Sequence, residues 1–129
     1  MTLSITPTED HRTIPRRFDA VLGGPVWWGV HLGGTYWLVP RACAWGTDLP
    51  LHALTIAMAL LCGRAWLSGV QVLRGARLAD PAIDRYAQRD VFIGWMGILL
   101  ATIFGGVTVF EGLPAFFLDA CAMTPTHGP

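Results

Sequence analysis

The chain has 129 residues, 53% hydrophobic and only 14% charged, where a soluble domain carries about 25% charged residues. Its net charge is zero and its nine basic residues are all arginine, so no global field draws it to nucleic acid. An ordinary soluble domain and a basic nucleic-acid binder are both excluded. Residues 1–19 are polar, carry Pro7 and Pro15, show no helical period and read as a tail. The first apolar stretch covers residues 21–42, and Gly23-Gly24-Pro25 reads as its start, with proline in the first turn. The polar tail ahead of it, and a length beyond the ~7–15 apolar residues of a signal peptide, make it a span rather than a cleaved leader. A short loop leads to the second stretch, residues 49–73. A longer loop, "RGARLADPAIDRYAQRD", follows, in which Asp80-Pro81 marks a short interfacial helix over residues 81–88. The third stretch covers residues 91–112. Each stretch reaches the ~20 apolar residues that cross a bilayer core. The expected fold is all-α: three transmembrane helices in an antiparallel bundle. The membrane domain covers residues 20–121, and residues 122–129 form a C-terminal tail.

Arginine sets the orientation. Arg12, Arg16, Arg17, Arg74, Arg77, Arg85 and Arg89 flank the tail and the long loop, and only Arg41 flanks the other side. The N-terminus and long loop are expected inside, the short loop and C-terminus outside. Trp27, Trp28, Trp66 and Trp95 then fall toward the inner interface, Trp37 and Trp45 toward the outer one, as two aromatic belts. Gly29 and Gly33 form a G-x-x-x-G on the first span, and Gly94 and Gly97 open the third, so helices can approach closely there.

His31 and Arg64 are the ionisable residues inside the spans, and such residues are functional candidates. His31 lies about 16 Å from the outer end of its span at 1.5 Å per residue. Neither a second histidine nor a carboxylate is expected at its level; Thr102 is the counterpart on the third span. His31 therefore reads as a polar contact toward a neighbouring helix or subunit, with Thr35 one turn on along the same face. A haem or metal ligand is the alternative. Arg64, Ser68 and Gln71 form a polar stripe on the second span. Arg64 either snorkels inward or meets a lipid headgroup, or a carboxylate from another chain. His52 and Glu111, near the outer face, could pair. Cys43 and Cys121 are expected outside, where a disulfide can form, with residues 113–120 folding back over the bundle. Their alternative is a copper site with His52 or His127. Cys62, in mid-span, reads as a small buried residue. No catalytic constellation stands out, and no enzyme is expected.

The order "LGGPVWWGVHLGGTYWLVPRAC", "LPLHALT" and "RDVFIGWMGILLATIFGGVTVFEGLPAFFLDAC" resembles small three-helix bacterial membrane proteins encoded beside haem-copper cytochrome c oxidases. Gly24-Pro25, His31, Tyr36, Pro40, Ala42-Cys43, Leu51-His52, Arg89, Leu113-Pro114, Leu118-Asp119 and Cys121 carry the likeness, over most of the chain. The resemblance implies the bacterial inner membrane and an association with a respiratory oxidase or its biogenesis. The expected function is a non-catalytic accessory subunit, touching larger membrane subunits and lipids through His31, Arg64, Ser68, Gln71, Gly29 and Gly33. Haem and copper are expected in the partner subunits and no cofactor in this chain. An assembly factor handling copper or haem, and a small haem-binding electron carrier using His31, are the alternatives.

Overall fold

The computed structural model describes residues 13–79 and 86–118, and among these every regular element is helical. The order is α1 (Thr13–Trp45), α2 (Leu49–Leu78), α3 (Ala87–Gly112) and the one-turn α4 (Pro114–Phe117). Residues 80–85 and 119–129 lie outside the described set, and with them most of the expected interfacial helix, as well as Asp119, Cys121 and His127.

Two expectations about α1 are corrected. The helix begins at Thr13, so residues 13–19 are its first turns rather than a tail. Gly23-Gly24-Pro25 is not a start either: Pro25 and Pro40 both lie inside the helix. Proline removes one N–H and crowds the carbonyl four residues back, yet the helix continues through both sites. α1 stops at Gly46, whose φ of +67° is the left-handed conformation of a helix C-cap. The amides of Gly46 and Thr47 close the turn on the Cys43 and Ala42 carbonyls, each at 3.2 Å. Asp48 then heads α2, with proline in its first turn.

Close approaches follow a fixed order. Along α1 and α2, Gly23 meets Ala65, Gly24 accepts from Cys62 and Gly34 meets Leu54. Along α2 and α3, Leu73 meets Gly94, Gly69 meets Ile98, Cys62 meets Gly105 and Thr55 meets Gly112. Along α1 and α3, Ala20 meets Gly97 and Gly24 meets Ala101. Positions rise on α1 and α3 as they fall on α2. The core is made of small residues: Ala20, Ala42, Cys62, Ala65 and Ala101 are buried, with Thr108 fully so. Helices whose contact faces carry so little side chain pack backbone to backbone, by dispersion rather than by bulky apolar side chains.

The large apolar residues lie outside. Phe18, Leu60, Phe92, Phe110 and Leu78 are all exposed. Two helices, Leu49–Leu78 and the run Ala87–Phe117, are long and apolar enough to cross a membrane, and only 22% of each apolar window is buried. A soluble protein's core helix would be mostly buried. α1 is not among them: glycines, tryptophans, Tyr36 and His31 dilute its apolar residues.

Candidate functional site

Two polar clusters interrupt the bundle, one toward its arginine-rich end and one toward the end that carries α4.

At the arginine-rich end, Asp19 on α1 reaches α2. Its Oδ1 accepts from Arg64 Nη2 at 2.8 Å and its Oδ2 from Ser68 Oγ at 2.8 Å. The expectation that a carboxylate for Arg64 must come from another chain is therefore wrong. Asp19 reads as tail in the sequence, but α1 starts early enough to bring it level with Arg64. Of the expected stripe, Ser68 is buried, Arg64 stays exposed, and Gln71 is exposed near Arg17 and Asp90. Arg17 Nη2 donates to Asp90 Oδ2 at 2.6 Å, tying α1 to the start of α3. Arg77 lies over the Trp95 ring at 5.9 Å.

At the other end, His31 is buried, only 3% exposed. Its Nε2 lies 3.1 Å from Thr55 Oγ1, and Thr55 Oγ1 donates to the Leu51 carbonyl at 3.1 Å. Its Nδ1 lies 3.6 Å from Glu111 Oε2, beyond hydrogen-bond length, and has no other polar partner. Two expectations are corrected here. A carboxylate does stand at the level of His31, and Glu111 faces His31 rather than His52. Depth counted along α1 misplaced the histidine, because α1 runs on through Pro40 to Trp45 while Thr55 lies in the second turn of α2 and Glu111 in the last turn of α3. Thr102, the expected counterpart, is exposed and bonds back to the Ile98 carbonyl.

His31, Thr35, Leu51, Thr55, Glu111 and Leu118 border a cleft of about 290 Å³ beneath α4. Residues 113–118 fold back over the bundle as expected, and the Phe116 ring stacks on His52 with centroids 4.1 Å apart. Thr35 shares the face of His31, also as expected. Cys62 is buried, with its thiol 3.9 Å from the Gly24 carbonyl. Cys43 lies near the end of α1, half-buried. Among the described residues no group of three or more His, Cys, Asp or Glu side chains could hold a metal ion.

The glycines divide into two classes. Gly94 and Gly97 sit at close helix contacts, whereas Gly29 and Gly33 have open space where a Cβ would stand. Trp37 carries Arg41 over its ring at 3.5 Å, and Trp28 packs on Phe104, well inside α3, at 5.3 Å. Sequence spacing could have marked Glu111 as a span-ending carboxylate; its pairing with His31 needed the relative register of α1 and α3. Comparison with known proteins assigns the chain to no family: no family model, no curated protein and no solved structure matches it.

Proposed function

We propose that the chain is a non-catalytic accessory subunit of a membrane respiratory complex of the cytochrome c oxidase kind. It crosses the membrane three times as an antiparallel bundle, with the arginine-rich end inside. The observation that carries the proposal is the bare face of α1. Val26, Gly29, Val30, Gly33 and Trp37 follow helical spacing on one side, and all five are exposed. Gly29 and Gly33 meet nothing within 4 Å. Bare glycines give lipid tails little to pack against, but they let another helix come close. A larger membrane subunit fits that face, and lipids fit the exposed apolar sides of α2 and α3. The link to an oxidase comes from the motif resemblance.

The proposal includes a Cys43–Cys121 disulfide that holds the C-terminal segment over the bundle. It is supported by the free thiol of Cys62 inside the bundle and by α4 lying over the end where Cys43 stands.

Copurification in mild detergent tests the role. The chain is expected at one copy per mature complex, and Gly29→Leu with Gly33→Leu is expected to lower that yield about tenfold, by about 1.4 kcal/mol of lost packing, without loss of helicity. Absence from the mature complex, with presence in assembly intermediates, overturns the subunit reading in favour of an assembly factor. Non-reducing peptide mapping should link Cys43 to Cys121; two free thiols refute that part.

A further inference from the structure

We infer that the groove between the arginine-rich ends of α1 and α3 binds one anionic phospholipid. Arg17 and Arg89 hold its phosphate, and an acyl chain lies along Phe18, Leu22 and Ile93. The inference rests on the chain's crossing the membrane and not on the partner proposed above.

The groove encloses about 430 Å³, and its walls come from α1 and α3 alone. It therefore faces the surroundings of the bundle rather than α2. On α1, Ile14, Arg17, Phe18, Val21 and Leu22 recur at helical spacing and share one face. On α3, Arg89 and Ile93 stand one turn apart. The two helices run in the same direction, since Arg17 meets Asp90, Ala20 meets Gly97 and Gly24 meets Ala101 in turn. Both guanidiniums thus stand at one level near the bundle's end. Val21, Leu22 and Ile93 lie four or five residues deeper, about 6–8 Å at 1.5 Å per residue. Phe18 and Leu22 are exposed, which leaves apolar surface for a chain to cover. Charge at the rim above an apolar wall is the order of groups along a phospholipid.

The charge selects an anionic head. Asp90 is the carboxylate that both arginines approach: Arg17 Nη2 lies 2.6 Å from Oδ2, and Arg89 Nε lies 3.8 Å from Oδ1. One carboxylate between two guanidiniums leaves one positive charge over. Asp19 does not offset it, because it is turned to Arg64 and Ser68 on α2. Arg16 lies on the α2 side with Gln71 and Gly75, and adds no anion. Donors are also to spare. A guanidinium presents five N–H groups in a planar fork that suits phosphate oxygens. Arg17 gives one to Asp90, and Arg89, at 3.8 Å, is beyond hydrogen-bond length. Basic pockets between membrane helices at the inner face take anionic headgroups in this way. Free phosphate would meet the charge and leave the apolar wall bare, whereas a phospholipid covers both.

The test is native mass spectrometry of the full chain released from nanodiscs of equimolar phosphatidylglycerol and phosphatidylcholine. One phosphatidylglycerol should stay bound, with about fivefold preference over phosphatidylcholine. Arg89→Gln should bring the preference near parity, because the charges of Arg17 and Asp90 then cancel. Arg74→Gln, at an exposed arginine of α2 outside the groove, should leave it unchanged. Equal retention of both lipids by the wild-type chain overturns the inference, whether or not Arg89→Gln folds. An equal loss in Arg74→Gln also overturns it, since general attraction to the arginine-rich end then suffices. Millimolar inorganic phosphate should leave the lipid in place; displacement would make this a free-phosphate site and overturn the lipid assignment. A chain that enters nanodiscs of phosphatidylcholine alone but shows no preference overturns the site only. A chain that does not enter them overturns the membrane reading and the site with it.

Discussion

Gly97→Ala tests whether close helix approach, rather than bulky packing, holds the bundle. A Cβ at position 97 would fall 2.7 Å from the Ala20 carbonyl oxygen and 3.0 Å from Ala20 Cβ. Carbon atoms rest at about 3.5–4.0 Å, so the two helices must separate by roughly 0.5–1 Å. The obstacle is backbone, and at the next α1–α3 contact a Cβ on Gly24 would likewise fall 3.0 Å from the Ala101 Cα. Neither can yield by a rotamer change. Forcing a methyl into such a contact costs about 1–3 kcal/mol. Alanine also improves helix propensity by about 0.8–1.0 kcal/mol, which would blur a single measurement. Gly106→Ala provides the control, because it lies in the same helix and meets nothing within 4 Å. The propensity gain then cancels in the difference, and Gly97→Ala should be about 1–3 kcal/mol less stable than Gly106→Ala. The assay is reversible unfolding in mixed micelles, followed by far-UV circular dichroism as the denaturing detergent fraction rises. Equal stability of the two variants, or a more stable Gly97→Ala, refutes the reasoning.

Two further outcomes follow from the polar clusters and the α4 contact. Asp19→Ala leaves buried Ser68 without its acceptor and should cost about 1–3 kcal/mol in the same assay, whereas Arg64→Gln, at an exposed guanidinium, should cost about 0–1 kcal/mol; an Arg64→Gln loss as large as that of Asp19→Ala would mean that the ion pair, not the buried hydrogen bond, carries the cluster. Phe116→Ala removes the ring stacked on His52, a contact worth about 0.5–1.5 kcal/mol, so amide exchange over residues 113–118 should quicken several-fold while the centre of α3 stays unchanged.

Much of the helical architecture was legible in the chain. Long apolar stretches separated by a short loop and an arginine-bearing one dictated long helices, because backbone groups in an apolar setting must bond within their own helix. The fold-back of residues 113–118, the burial of Cys62 and the close packing at Gly94 and Gly97 were legible too. The start of α1 is not legible in the sequence, since Pro25 and the polar residues before position 20 look like breakers, while Pro15 falls in the first turn, where proline is tolerated.

The polar partners show where sequence reading ends. Composition and spacing determined that His31 and Arg64 would be rare ionisable groups among apolar helices. They could not determine what faces those groups, because a partner on another helix depends on register, and register depends on which small residues meet. Packing of Gly23 on Ala65, Gly24 on Ala101 and Thr55 on Gly112 sets how far each helix slides along its neighbours. A shift of one turn, about 5.4 Å, would take Asp19 away from Arg64 and Glu111 away from His31. The sequence by itself determined the helices and their rare charges. The tertiary structure alone decided the pairing, because glycine and alanine contacts fix the axial position of each helix.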